Sequence, residues 1–397
     1  MKPFGWILIL LFAVPAWSVS TRKITVDQLK ALLVSLQDGK KSDQEVATEL
    51  KQVELTEELT SDLKNSLTPY VPGHETTEQL FVLEARSALL VPPASDLPAA
   101  PAPDPAAQQA MLARAADYAS KIYAQLPLLS ASRVTARFQD GVEGIHGNSS
   151  MHGDQSPNGD ILRDQSSAYI RLVSLKTDPV ESENGVEKKP STKEKLPWGA
   201  NGQVASVGSL MTLSDLLHEI SADGAPNWLR WELVNGKQTA VFSFAVDKKK
   251  SHFAVNYCCF PDNQGVNLVN FGMAKGGPPP PSGKDNLQSA ADWKNFKAGA
   301  PYHGELYIDP HSGAVVRTIT EAEFKKSDPL RYEGVRTDYS RMPVGDKALV
   351  VPERSFTLAE IAMDSEGSSA KSPLRHTLVT QTYKDYQIAG ATSSAQK

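Results

Sequence analysis

His303, Glu305, Tyr307 and Asp309 alternate along a short strand-like run, and His311 follows two residues on. Imidazole and carboxylate ligands on one strand face could hold a metal. An exposed polar strand face produces the same alternation, and this is the simpler reading. His218-Glu219 has the start of a zinc-peptidase helix, but Ala222 stands where the second ligand would be, so His218 is read as a helix-surface residue. His146 and His152 fall in a polar loop. The two cysteines, Cys258 and Cys259, are adjacent. Neighbouring strand residues point to opposite faces, and consecutive Cα atoms lie about 3.8 Å apart, below the usual disulfide range. Separate, partly buried thiols are expected, with a vicinal bridge or a pairing between chains as the alternatives. The run from Gly277 through four prolines to Gly283-Lys284 fails as a phosphate loop: its spacing is one residue too long, and proline removes the N–H donors. There is no Gly-x-Ser-x-Gly elbow. No catalytic set and no cofactor is assigned.

A second set is apolar. Ala240, Phe242, Phe244 and Val246 share one face of a strand; Phe253, Val255 and Tyr257, together with Cys259, share a face of the next. Trp228 and Trp231 are expected on opposite faces of the strand before. Either this surface is ordinary core packed on helices, or a curved sheet encloses space for an apolar ligand. Plain core is the simpler reading. The ligand-binding candidates are therefore Trp228, Trp231, Phe242, Phe244, Phe253, Val255 and Tyr257, with His303, Glu305, Asp309 and His311 as the metal alternative.

The elements that position these residues follow from pattern. Helical spacing runs from Ile24 to Leu36, from Asp43 to Leu50, from Leu55 to Leu67 with Thr56 as cap, and from Thr77 to Leu89. Four short helices imply a small bundle over residues 19–91. Six prolines between Pro92 and Pro105 read as a semi-rigid spacer, residues 92–106. A helix over Ala107–Gln125 opens the second domain, 107–390. Strands are expected at Arg133–Gln139, Ala168–Leu175, Gln203–Gly208, Trp228–Val234, Gln238–Asp247, His252–Phe260, Gly304–Ile308, Ala314–Thr320, Ala348–Val351 and Thr377–Asp385, with a helix at Ser214–Ile220. Asn235-Gly236 and Asp309–Gly313 mark hairpin turns. Long loops are expected at 141–160, 176–200 and 261–301, and a disordered tail at 391–397. The fold class is α+β: a helical bundle, then a large antiparallel, half-barrel-like sheet with packed helices.

The 397 residues carry Lys+Arg 41 against Asp+Glu 46, a net charge of −5, which argues against a nucleic-acid binder. Lys2, the apolar run Phe4–Trp17 and the small residues Ala16 and Ser18 form a signal peptide, residues 1–18. The run is short of the ~20 residues that span a bilayer, and no later stretch approaches that length, so a periplasmic or secreted protein without a transmembrane segment is expected.

Three passages carry a resemblance: Ile24-Thr-Val-Asp-Gln-Leu29 with Val53-Glu-Leu-Thr-Glu-Glu-Leu59; Tyr302 through Arg317; and Asp338-Tyr339 with Leu349–Arg354, closing on Tyr383-Lys-Asp-Tyr386. Together they resemble a group of exported bacterial proteins of uncharacterised function. The Gly304–Arg317 hairpin is also similar to the "strand, Asp-Pro-x-Ser-Gly, strand" repeat of lipoprotein carriers and of the periplasmic stress-signal sensor RseB. That resemblance implies an unclosed β half-barrel over a helical plug, able to hold acyl chains. The chain departs from it in lacking a lipidation cysteine and in carrying the N-terminal bundle. The resulting expectation is a non-enzymatic envelope protein that binds a lipid, lipoprotein or other apolar partner. The alternatives are a secreted hydrolase or metal-dependent enzyme, and a structural envelope protein whose bundle docks a partner.

Overall fold

The computed structural model describes residues 22–123, 128–139, 170–183, 186–188, 213–261, 293–328, 330–344, 347–362 and 374–388. The expected signal peptide, the loop 141–160, the strand 203–208 and the tail 391–397 lie outside them.

The N-terminal module starts with β1 (Arg22–Ile24), which pairs in parallel with β2 (Val53–Leu55). Between them run α1 (Val26–Asp38) and α2 (Asp43–Lys51), each opened by a capping box, Thr25 with Gln28 and Ser42 with Glu45. These caps satisfy N–H groups that have no partner inside the helix. The helix expected over 55–67 is shorter: α3 (Ser61–Ser66) begins after the Thr60 cap. Val53 and Leu55 are buried with Glu54 between them, so those residues follow the two-residue period of a strand. A 3-10 turn (Thr68–Tyr70) leads to α4 (His74–Ser87). Gly73 offers α4 no side-chain cap, and Asp43 of α2 serves instead, accepting from the backbone N–H groups of Glu75 and Thr76, both at 2.9 Å. Leu29, Leu33, Leu50 and Leu80 fill the core of this module.

The Pro-rich segment, with a 3-10 turn (Ala94–Asp96), is not a free spacer. Pro92 and Pro93 are buried, and the Pro101 carbonyl accepts from Trp231 Nε1 at 2.9 Å. The chain then forms α5 (Pro105–Tyr123), β3 (Leu129–Gln139), β4 (Arg171–Glu183), β5 (Val186–Glu187), α6 (Leu213–Asp223), β6 (Asn227–Val234), β7 (Lys237–Val246), β8 (Ala254–Pro261), β9 (Trp293–Gly299), β10 (Tyr302–Ile308), β11 (Val315–Glu323), β12 (Leu330–Val344), β13 (Lys347–Ala362) and β14 (Leu374–Ile388). Ten strands make one sheet in the order β5-β4-β3-β14-β13-β12-β11-β10-β7-β6; β8 and β9 form a separate pair. All neighbours in the large sheet are antiparallel, and it ends at β5 and β6 without closing. The architecture is therefore α+β with an open, half-barrel-like sheet. Among the described residues no helix is long and apolar enough to cross a membrane.

Two of the expected long loops are partly strand. Residues 176–183 continue β4 against β3, from Lys176 opposite Thr135 to Ser182 opposite Leu129, and β5 follows. Their charged side chains are compatible with a strand near the sheet edge, where much of each side chain stays in water. Residues 293–299 of the 261–301 segment form β9, and Pro261 ends β8. β12 had no counterpart among the expected strands. The turns fall as expected: Asn235 and Gly236 both have positive φ, 50° and 70°, and Gly313 has φ 75°.

The two faces of the sheet are covered differently. Met111, Ala115 and Ala119 of α5 and Leu216, Leu217 and Ile220 of α6 pack with Phe242, Phe244, Leu306 and Ile308 on one face. Val82, Ala85 and Ala88 of the N-terminal module pack with Phe138, Phe356 and Leu378 on the other. Gly304 is the tightest passage between strands, since a Cβ there would collide with the Ile319 carbonyl. Gly304→Ala is expected to lower stability by about 2–3 kcal/mol through this overpacking, read as a shifted urea midpoint.

Candidate functional site

The apolar candidates are brought together, but the chain fills the space they line. Phe242, Phe244, Phe253 and Val255 are 0%, 4%, 3% and 1% exposed, in one cluster with α5 and α6. The Phe253 ring stacks on Tyr302 at 5.3 Å. Trp228 and Trp231 do not straddle their strand. The register of β6 shifts between Trp228 and Arg230, which leaves Leu229 as a bulge and turns both indoles onto the same core. They meet edge-to-face at 4.8 Å, and Trp228 meets Phe242 at 5.5 Å. The side chains of Tyr257, Cys258 and Cys259 lie outside the described residues.

Cross-strand register orders this face into rows. One runs from Trp228 through Phe242 to Leu306. It continues as Thr318, Thr337, Ser355, Gln381 and Thr135. Its first half is aromatic and aliphatic, beneath α5 and α6, which lie on β10 and β7. Its second half is hydroxyl and amide. Ser355 Oγ donates to Gln381 Oε1 at 3.3 Å and Tyr383 Oη to the same oxygen at 3.2 Å, while Thr337, Gln381 and Thr135 stay half-exposed.

The metal candidates separate. Glu305 accepts from Arg230 Nη1 and Nη2 at 2.9 and 2.8 Å and from Tyr307 Oη at 2.6 Å. Asp309 holds its hairpin turn, accepting from the His311 N–H at 2.9 Å, and pairs with Arg341 at 2.7 Å. Burial opposes the charge on Asp309, yet these hydrogen bonds and Arg341 keep its carboxyl below the usual range. His303 and His311 are exposed, as is His218 on α6. Among the described residues no three His, Cys, Asp or Glu side chains gather as a metal set. His146 and His152 lie outside the described residues. Elemental analysis of purified protein is expected to show no stoichiometric metal at this strand, and His303→Ala to change stability by less than about 0.5 kcal/mol.

The opposite face carries a charged cluster that the sequence reading did not find. Tyr307, Arg317, Asp338 and Arg354 stand in one cross-strand row, with Arg336 in the next. Arg317 donates to Asp338 at 2.6 Å and to Glu232 at 3.2 Å. The N-terminal module contributes two carboxylates. Glu58 receives Arg336, which also donates to the Ala88 carbonyl at 3.1 Å; Glu84 receives both Arg354 terminal nitrogens at 2.6 and 2.7 Å, as well as Lys64. Burial works against the ionised Asp338, but Arg317 and Arg336 together hold its carboxyl down to about 2. Burial likewise opposes the charge on Glu84, and Arg354 and Lys64 outweigh it. Each of these carboxylates already faces a cation, so the cluster serves as an electrostatic lock between module and sheet.

The chain matches no known family, no curated protein and no solved structure. The geometry alone therefore carries the functional argument.

One further carboxyl breaks the rule that buried charges are paired. Glu333 of β12 is 0% exposed, and neither carboxyl oxygen has a hydrogen-bond partner among the described residues. Burial pushes it up to about 8. It stands in the row Tyr302, Ala322, Glu333, Ala359, Thr377, on the face that α5 and α6 cover. The only sequence signal was its two-residue spacing from Val335 in a run too charged to read as a strand.

Proposed function

We propose that this chain is an exported, non-enzymatic envelope protein that takes an amphipathic guest, a lipid or a lipidated partner, on the helix-covered face of its open sheet. The observation that carries this reading is the gradient along one cross-strand row, from Trp228, Phe242 and Leu306 to Thr337, Gln381 and Thr135. A tail of hydrocarbon gains by leaving water, at about 0.8 kcal/mol per buried CH₂, and the hydroxyl-rich half offers donors and acceptors to a polar head. In the present state α5 and α6 occupy the apolar half. Both helices are tied to the domain beneath them: the Ala348 carbonyl accepts from Tyr118 of α5 at 3.1 Å, and Glu219 of α6 accepts from the His252 N–H at 2.9 Å, so a guest must displace such contacts to enter. Export rests on the first 18 residues. The hydrolase and metal readings find no such support, because Glu305 and Asp309 are engaged by Arg230 and Arg341. The N-terminal bundle, the expected dock for a structural partner, directs Glu58 and Glu84 onto its own sheet.

Titration with the environment-sensitive probe 1-N-phenylnaphthylamine tests the reading. The parent is expected to bind one probe per chain with enhanced, blue-shifted emission. Gln381→Trp, which crowds the half-exposed polar half, is expected to weaken binding about tenfold at unchanged thermal midpoint. Absence of binding, or equal binding by the variant, would contradict it.

A further inference from the structure

We infer that Glu333 is the anchor for the guest's polar head, and that this head carries an ammonium or guanidinium group. The inference rests on the amphipathic reading above and names the head that reading leaves open. Its first support is position. Glu333 is on a central strand, held by ladders to β11 and β13, so its carboxyl is presented from a rigid part of the sheet. The residues directly beside it are Ala322 and Ala359, whose methyl side chains offer it no hydrogen bond. Leu330 and Ile361, two pairs along the same strands, belong to the core cluster that includes α6.

The second support is chemical. A buried carboxyl with no donor is costly, whereas the other buried carboxylates described above each have an arginine. Burial is the cause of the raised pKa of Glu333. An alcohol or ester head would supply at most one weak donor. An ammonium supplies several N–H donors and the countercharge that lets Glu333 release its proton, and an ionised partner makes the bond roughly twice as strong as a neutral one. The distance along β12 is suitable for a single molecule: Glu333 stands two residues from Val335 on the same face, and Val335 two residues from Thr337 of the hydroxyl row. A head at Glu333 therefore leaves its chain free to run towards Leu306 and Phe242.

The experiment is calorimetric titration of the whole purified protein with three ten-carbon amphiphiles below their micelle concentrations: decylammonium, decyltrimethylammonium and decanoate. The expected order is decylammonium tightest, by about tenfold or more over the other two, because only it offers N–H donors to a carboxylate. In Glu333→Gln the preference is expected to vanish while decanoate binding stays within twofold of the parent's, or about that. Glu333→Met, which removes the polar group altogether, is expected to behave the same way, so a folding defect in one variant does not decide the outcome. An unchanged preference for decylammonium in both variants overturns the role of Glu333 and leaves the amphipathic reading standing. Failure of all three amphiphiles to bind the parent overturns that reading, and this inference with it.

Discussion

Arg336→Met is expected to lower the unfolding free energy by about 3–5 kcal/mol, because it strands a buried carboxylate. Glu58 is 2% exposed and is left with Arg317 at 3.6 Å as its remaining cation. The Ala88 carbonyl loses its donor as well. The double variant Arg336→Met, Glu58→Leu is expected to recover most of the loss, since replacing both partners removes the desolvation cost together with the attraction. Urea unfolding of the four proteins of this cycle measures the coupling. Limited proteolysis adds location: cleavage of Arg336→Met is expected first in the N-terminal module, whose attachment the pair secures. A loss below about 1 kcal/mol would place the cluster among exposed pairs of little consequence. Acid should act on the same lock. Asp338, held at about 2 when folded, contributes stability that is present above the ordinary carboxylate value of 3.8 and is lost as pH falls from there towards 2.

Glu333→Gln is expected to do the opposite and stabilise the protein, by about 3 kcal/mol at pH 7. The folded chain keeps the Glu333 proton up to about pH 8, whereas the unfolded chain releases it near 4.5. The unfolded state is therefore favoured increasingly across that interval: the contribution of Glu333 to stability is greatest below pH 4.5 and falls as pH rises to 8. Glutamine resembles the protonated acid in shape and charge, so the variant should lose this slope. Thermal midpoints of parent and variant should nearly coincide at pH 4.5 and separate steadily towards pH 8. Coincidence across the whole range would mean that Glu333 finds a partner and ionises normally. A stabilising loss of a polar group is the pattern of a residue kept for binding at the expense of stability.

How far the sequence was legible depended on how local each signal was. The Asn235-Gly236 turn and the Asp309–Gly313 turn are decided within a few residues, and both stand as expected. The alternation of Phe242 and Phe244 against Ser243 was enough to predict the buried face of β7. β12 was missed because Glu333, Arg336 and Asp338 place charge on both faces of one strand. A solvated loop and a strand whose charges are neutralised by Glu58 and Arg317, distant in sequence, look the same in one dimension. The paired indoles failed for a similar reason. Bulging at Leu229 is a matter of register with β7, and no residue type announces it. The gradient on the candidate face is the least legible feature, since it takes one residue from each of many strands.

Native mass spectrometry of the protein purified from the cells that make it tests the proposed lipid binding most directly. The account predicts a bound mass of lipid size at one copy per chain, lost on unfolding and recovered by organic extraction as an amphiphile with a nitrogen-bearing head. A protein that flies at the bare chain mass from every preparation, and stays bare after incubation with decylammonium, would contradict it.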